Sequence, residues 1–458
     1  MLSCRLAELA SWSGGRLHGA DDAVTGVAID SRQLQPGALF VALKGERHDG
    51  HDFAADAKAH GAAALLVERK LALDLPQLVV ADCQRALGEI ARALRLRSRA
   101  RVVGITGSNG KTTVKTLLAE ILSRHGRTHV SAGNFNNEIG LPLSLLAMPA
   151  DTDYAVLEMG AGKPGDIAWL AHIAQPDAAL VNNVAPAHLQ RMGSLQGVAE
   201  TKGAIYRALP PDGLAVINAD DSFADYFALL ASGRRILRYG LLRTAQISAA
   251  LDADAPESGR FRLLTPSSGC AIELPLRGRH NVANALAASA LAFGLGVPLA
   301  TIKAGLEGAT PVPGRLARST HASGALLIDD SYNATPGSFA AAIATLASEA
   351  GERVLVMGDM AELGEDAPRL HGEVGALARR SGIERLYAVG PLAQHACEAF
   401  GAGARHFPAQ DALVAALREE LRAGVSVLVK GSRSSAMERV LRALDANAGG
   451  NGGKRHAA

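Results

Sequence analysis

An apolar run that stops at a glycine turn and restarts as a helix constrains this chain more than any other feature. Arg101-Val-Val-Gly-Ile-Thr reads as a buried parallel strand. Val114, Leu117, Leu118, Ile121 and Leu122 then recur at i, i+3, i+4, i+7 and i+8, the stripe of a helix packed on a sheet, with Gly126 expected to close it. A strand and a helix joined this tightly form one unit of an alternating α/β sheet. The joint itself is Gly104-Ile-Thr-Gly107-Ser108-Asn109-Gly110-Lys111-Thr112-Thr113. Its backbone N–H groups, with those of the helix N-terminus, can cradle phosphate oxygens, Lys111 can place a charge on the outer phosphates, and Thr112 can offer a hydroxyl to magnesium. The spacing is GxxGxxGKT, with Ile105 where the common phosphate loop has its first glycine. The chain is therefore expected to use a nucleoside triphosphate.

At 458 residues the chain exceeds one hydrophobic core, and roughly 100 to 200 residues per domain suggests three domains. Forty-seven basic against 45 acidic residues leave a net charge of +2. No long-range field then draws the protein to nucleic acid or an anionic membrane, so any anionic substrate must be met by a local site. Cys4, Cys83, Cys270 and Cys397 lie far apart without a CxxC pair, which argues against a disulfide framework and a zinc site and for a reducing, cytoplasmic setting. The first eight residues already hold charges, so no signal peptide is read there. The uncharged run 285–302 has the length of a membrane span. It is alanine-rich, however, and contains Gly294, Gly296 and Pro298, so it reads as a buried helix ending in a loop.

Residues 1–83 show short strand-like runs, Ala38-Leu-Phe-Val-Ala-Leu, Ala64-Leu-Leu-Val and Gln77-Leu-Val-Val, and are expected to form a small α/β domain. A helical segment from Gln84 to Arg99 leads into a central domain, 84–313, where strands at Val102, Ala155, Ala179 and Leu214 alternate with helical stripes, the pattern of a doubly wound parallel sheet. After Pro311-Val-Pro313-Gly314, a third βα series over 314–447 reads as a Rossmann-like domain without its glycine fingerprint. The glycine-rich tail 448–458 is expected to be disordered.

Ligands of open α/β sheets gather at the carboxyl ends of strands. Glu158, which ends Ala-Val-Leu and begins Glu-Met-Gly-Ala-Gly, is placed to hold magnesium beside the phosphates. Asn182, Asn183 and His188 follow the next strand; a lone histidine there is more often a turn hydrogen-bonder than a ligand.

The order of these pieces resembles the Mur ligases, ATP-dependent amino-acid ligases of peptidoglycan precursor synthesis. The resemblance covers nearly the whole chain: the GxxGxxGKT loop, Asn134-Phe-Asn136-Asn137-Glu-Ile-Gly, Glu158, Asn183-Val-Ala-Pro-Ala-His188, Lys202 in Glu-Thr-Lys-Gly-Ala-Ile, and Gly278-Arg-His-Asn281-Val-Ala-Asn284. In the third domain it includes Pro313-Gly-Arg315 and Asp329-Asp330-Ser-Tyr-Asn333. Within the family, Asp30-Ser31-Arg32, the segment ending at Lys44-Gly45, and Asp49-Gly-His-Asp-Phe are similar to a uridine-nucleotide domain. Gly358-Asp359-Met-Ala-Glu362-Leu-Gly364 and Lys430-Gly-Ser-Arg433 are similar to the members that add the terminal dipeptide, and the Asp-Asn-Pro-Arg string of the third-residue ligases does not occur. Gln190-Arg191-Met192 departs from the family pattern and inherits no role.

The resemblance implies an enzyme that joins D-alanyl-D-alanine to UDP-N-acetylmuramoyl-tripeptide through an acyl phosphate, with the third residue, meso-diaminopimelate or L-lysine, left open. It implies Lys111, Glu158, His188 and Lys202 as catalytic residues, with Thr112, Glu158, His188 and Lys202 around two magnesium ions and Lys202 carried as a carbamate. ATP would be bound by the 107–113 loop, Asn281, Asn284, Arg315, Asp329 and Asp330. Substrates would be held by Ser31, Arg32, Lys44, Asn134, Asn136, Asn137 and Asn333. From their place after strands and their charge, not from the resemblance, Asp359 is expected on the dipeptide's ammonium and Arg433 on its carboxylate. A monomer without nucleic-acid partners or an integral membrane segment is expected. Rival readings are a third-residue or folylpolyglutamate-type ligase, and a nucleotide-gated regulatory ATPase without ligation.

Overall fold

A computed structural model describes residues 4–186 and 189–446; the tail 448–458 and His188 lie outside these. Three main sheets follow one another along the chain. In the first, Arg16–His18, Gln77–Val79, Ala64–Val67, Leu39–Val41 and Val27–Ala28 lie side by side, parallel except for the first pair. Leu39, Phe40, Val41 and the whole of Ala64–Val67 are buried, the continuous apolar run of strands covered on both faces.

The middle sheet has six strands, all parallel, in the order Arg235–Tyr239, Leu214–Asn218, Ala178–Val181, Arg101–Thr106, Tyr154–Glu158, Thr128–Val130. Arg101–Thr106 is the strand from which the order runs outward both ways, so the crevice beyond its carboxyl end is a topological switch point. The helix after it, Lys111–Leu122, buries the whole predicted stripe, Val114, Leu117, Leu118, Ile121 and Leu122. It is capped at Ser123 and is over before Gly126, whose N–H bonds the Leu122 carbonyl at 2.9 Å. The run 285–302 resolves into the end of a helix, Arg279–Gly294, a turn, and the start of another, Leu299–Glu307. No helix among the described residues is long and apolar enough to cross a membrane.

The helix Cys83–Arg97 joins the first two sheets. Its buried Leu87, Ile90 and Ala91 belong to one core cluster with Leu66 of the first sheet and Leu141, Ile167 and Ile173 of the second. A core continuous across that boundary resists relative motion, because sliding would open cavities in close-packed apolar contacts.

The third sheet is ordered Ala317–Thr320, Leu326–Asp330, Val425–Lys430, Glu352–Gly358, Arg385–Val389, Ala404–Phe407, with only the first pair antiparallel. It has its own core on each face. An antiparallel sheet of Ser248–Leu251, Arg260–Leu264 and Gly269–Glu273 is not among the sequence expectations. Its middle strand alternates, with Phe261 and Leu263 buried and Arg260, Arg262 and Leu264 exposed.

Candidate active site

A cavity of about 390 Å³ opens at the switch point of the middle sheet, and the third sheet's domain supplies its opposite wall. Its floor is the glycine loop. Gly110 adopts φ +78°, and a side chain there would stand 2.4 Å from Asn284 Oδ1 and 2.5 Å from Asn182 Nδ2, so both conformation and space require glycine. The neighbouring strand end braces the loop. Asn109 N–H donates to Asn183 Oδ1 at 2.8 Å, Ser108 N–H to the Asn183 carbonyl at 2.9 Å, and Ser108 Oγ to the Ala185 carbonyl at 2.9 Å. Asn182 and Asn183 thus position the loop, a role that their place after a strand leaves undefined in sequence.

The charged centre lies beside this loop. Thr112 Oγ1 donates to Glu158 Oε2 at 2.9 Å, and Asn136 Nδ2 donates to Glu158 Oε1 at 2.9 Å. Lys115 Nζ lies 3.5 Å from Glu158 Oε2 and donates to the carbonyls of Ser131 and Gly133 at 3.1 Å each. Burial pushes the Glu158 carboxyl up, but Lys111, Lys115 and the two hydrogen bonds outweigh it and hold the group below its ordinary value. Glu158 is 4% exposed and stays an anion, as a cation ligand must. Asn136, expected on substrate, lines the cavity and is also a hydrogen-bond partner of this carboxylate.

Lys115 is a buried cation of this centre that the sequence expectations did not include. It stands four residues after Lys111 on the same helix and so on the same face, which is the signal that could have found it. Lys115→Met is expected to raise the Glu158 pKa, move the acid limb of the pH–rate profile upward, and cost about tenfold in rate, the scale of one charge-assisted hydrogen bond. An unmoved acid limb in that variant would remove the role.

Lys202 enters from the helix Leu195–Arg207 and is 2% exposed. Its Nζ donates to the Gly107 carbonyl at 3.2 Å, the same oxygen that accepts from Lys111 Nζ at 2.9 Å. Burial, and then repulsion by Lys111, push Lys202 down from 10.5 to about 7.

A second cavity, about 250 Å³, shares Asn109, Gly110 and Arg315 with the first and is lined by Thr113, Asn281, Asn284 and Asp330. Asn281 and Asn284 are linked by a 3.3 Å hydrogen bond, and Asn284 Oδ1 accepts from Asn182 Nδ2 at 3.0 Å. Across it the third domain holds Asp330 against Lys430 Nζ at 2.5 Å, with Lys430 also donating to the Asn333 carbonyl at 2.9 Å. Asp329 instead fixes the turn, accepting from Gly314 N–H and from Ser331 N–H and Oγ. Arg315 stacks on Tyr332, 4.2 Å from the ring centroid, and lines both cavities. Thr335, the cap of the helix Pro336–Ala347, donates through Oγ1 to Asn109 Oδ1 at 3.0 Å, tying the third domain to the loop.

The remaining expected residues stand elsewhere. Asn333 and Asn137 line the first cavity, Asn137 while also accepting from Gly140 N–H at 2.8 Å; exposed Asn134 does not. Asp359 Oδ1 accepts from Ala393 N–H at 2.7 Å, bracing the segment before the helix Gln394–Phe400, and Arg433 pairs with Glu438 at 3.2 Å; neither lines the cavity. In the first domain Ser31 is buried, Arg32 folds back onto Asp30 at 2.7 Å, and Lys44 pairs with Glu68, all away from this cavity.

The chain matches family models described as Mur ligase family, catalytic domain, over residues 23–102, Mur ligase middle domain over 105–292, and Mur ligase, glutamate ligase domain, over 314–433. It is 47% identical to the UDP-N-acetylmuramoyl-tripeptide--D-alanyl-D-alanine ligase of Escherichia coli K12 across 98% of this chain and 99% of the relative. The chain belongs to the Mur ligase family. Among solved Mur ligases, MurF from Acinetobacter baumannii is 34% identical and superposes with a TM-score of 0.92, over 97% of this chain and 99% of that one. MurF from Thermotoga maritima, solved in complex with ADP, is 29% identical with a TM-score of 0.83, over 94% and 99%. In this Mur ligase the loop, Glu158 and Lys202 belong to the middle-domain match, and Arg315 and Asp330 to the glutamate-ligase match.

Proposed function

We propose that this Mur ligase adds D-alanyl-D-alanine to UDP-N-acetylmuramoyl-tripeptide, using ATP and releasing ADP and phosphate, in the cytoplasm. The observation that carries the reading is the cluster of half-buried Lys111 and Thr112 with buried Glu158 and Lys202, beside a phosphate loop bonded by the third domain, in a chain so similar along its whole length to dipeptide-adding relatives. The division of labour follows the sheets: 1–83 for the uridine end of the acceptor, 84–313 for ATP, and 314–447 for the dipeptide and for covering the nucleotide.

A carboxylate is a poor electrophile, so the acceptor's terminal carboxyl first takes the γ-phosphoryl group of ATP as ADP leaves. The dipeptide's free amine then attacks the acyl carbon and phosphate departs as the amide forms. The protein's contribution is positioning and charge neutralisation. Loop amides and Lys111 hold the outer phosphates, and the second cavity takes the nucleoside between Asn281, Asn284 and Asp330. Arg315 reaches the phosphates from the other domain.

The hydroxyl of Thr112 and the ionised, buried carboxylate of Glu158 are hard oxygen donors side by side, a set that suits Mg²⁺. Bound there, with Lys202 lining the same cavity, the metal would supply charge neutralisation of the transferring phosphoryl group. Lys202 suits a carbamate because an amine already pushed to about 7 has a neutral fraction able to add carbon dioxide.

Mass spectrometry of a reaction containing ATP, the uridine-linked tripeptide and D-alanyl-D-alanine tests the function. The pentapeptide product should appear, and ADP release should depend on both other substrates. Rapid hydrolysis indifferent to them would favour a regulatory ATPase. Since the third domain hydrogen-bonds the loop through the single side chain of Thr335 among the described residues, ATP analogue plus acceptor is expected to give a smaller radius of gyration by X-ray scattering than the free enzyme. An unchanged radius would mean that the domains do not close on ligand.

A further inference from the structure

A chain of hydrogen bonds crosses the second cavity and begins on a residue with no task in the chemistry above, Tyr239. This tyrosine ends the edge strand of the middle sheet. Asn218 ends the next strand and Asn182 follows the one after, so the strand order sets three polar side chains in a row that leads to the glycine loop. Tyr239 Oη lies 2.8 Å from Asn182 Oδ1 and 3.1 Å from the Asn182 carbonyl, which also accepts from Asn218 Nδ2 at 2.9 Å. Asn182 Nδ2 donates to the Asn109 carbonyl of the loop and to Asn284 Oδ1, at 3.0 Å each. Asn284 Nδ2 then donates to Asn281 Oδ1 at 3.3 Å, and Asn281 Nδ2 to the Arg277 carbonyl at 2.7 Å. Tyr239, Asn182, Asn284 and Asn281 are all buried, and all four line the cavity.

A side-chain amide can be turned over, but the ends of this chain forbid it. The carbonyls of Asn109 and Arg277 only accept, so each holds an amide nitrogen against it. Asn182 must therefore present its oxygen to Tyr239, and Asn284 its oxygen to Asn182. The phenol supplies the hydrogen that satisfies Asn182 Oδ1, and burial pushes that phenol well above its ordinary value, so it stays a donor. Without it a buried acceptor is left unpaired, and the amide turns to find another partner. The loop has no slack to absorb such a turn, because a Cβ built at Gly110 would already meet Asn284 Oδ1 at 2.4 Å and Asn182 Nδ2 at 2.5 Å.

We propose that Tyr239 is a positioning residue of the nucleotide site, whose hydroxyl locks Asn182 and through it both the Asn109–Gly110 turn of the phosphate loop and the Asn284–Asn281 pair. Phosphates and nucleoside are then met by groups already oriented, with no ordering left to be done on binding. The proposal rests on the reading of the second cavity as the nucleoside's place.

The test is ADP affinity by calorimetry and KM for each substrate, with the full chain. Tyr239→Phe keeps the ring and its packing and removes only the hydroxyl. Its Kd for ADP and KM for ATP should each rise about tenfold, the scale of one buried hydrogen bond, with KM for the acceptor and for the dipeptide unmoved. Tyr206→Phe is the control, since its buried hydroxyl accepts from Val181 N–H at 2.9 Å and donates to the Val216 carbonyl at 2.6 Å, bonds that hold two strands of the same sheet and not the loop. That variant should unfold at a lower temperature and bind ADP as the wild type does. In an Asn182→Ala background, Tyr239→Phe should weaken ADP binding little further, because the hydroxyl acts through that amide. An unmoved ADP affinity in Tyr239→Phe, an equal loss in Tyr206→Phe, or losses that multiply in the double variant would each overturn the assignment. A wild-type chain that does not bind ADP would instead defeat the nucleotide reading and this proposal together.

Discussion

Lys202→Ala is expected to be nearly inactive in ligation, and short carboxylic acids are expected to restore part of the activity. The side chain is buried beside Lys111, so an ammonium here is repelled by a neighbour and by any divalent cation at Thr112 and Glu158. Conversion to a carbamate turns +1 into −1 and makes Lys202 an oxygen donor. A loss of about 10²- to 10³-fold fits removal of a preorganised electrostatic partner. Lys202→Arg should stay inactive, because a guanidinium cannot add carbon dioxide. A working arginine variant would show that only a cation is needed.

The same residue predicts a pH dependence of stability. Its pKa is about 7 in the folded protein against 10.5 as the ordinary value, so between those limits the unfolded chain binds more protons than the native one. Stability therefore rises with pH across that window. A carbamate, which is also deprotonated, gives the same sign. Denaturant unfolding at several pH values should show this slope reduced in Lys202→Met; equal slopes would mean that Lys202 is not held neutral.

Lys111→Ala and Glu158→Ala are each expected to cost roughly 2.7 to 4 kcal/mol of transition-state stabilisation. Glu158→Ala also leaves buried Lys115 without its counter-ion and Thr112 without its acceptor. The two variants should combine less than additively, because both groups act on the same transferring phosphoryl group. Single-turnover rates for the two single variants and the double variant decide this; near-normal turnover in either single variant would dispose of its role.

Much of this architecture is written locally. A strand between two others in a covered parallel sheet is apolar along its buried length, so residues 102–105, 155–157 and 178–181 stand out from their neighbours in composition alone. The glycine loop is equally legible, since only glycine tolerates the backbone at position 110. The antiparallel strands 248–273 were not legible, because they are short and mix half-buried with exposed residues, so that their runs resemble loop.

What the sequence by itself determined is therefore the set of βα units, the phosphate loop, and the acid and lysine that follow particular strands, all consequences of spacing within one segment. Which groups share a site was decided only by the tertiary structure. Glu158 faces Lys115 and Asn136 because parallel pairing brings three separate segments to one end of a sheet. Lys202 loses its ordinary basicity because its helix buries it beside Lys111, and desolvation is a property of the fold. Thr335 meets Asn109 across 226 positions of chain. Local propensity is blind to such contacts, since their energy exists only once every intervening element is packed.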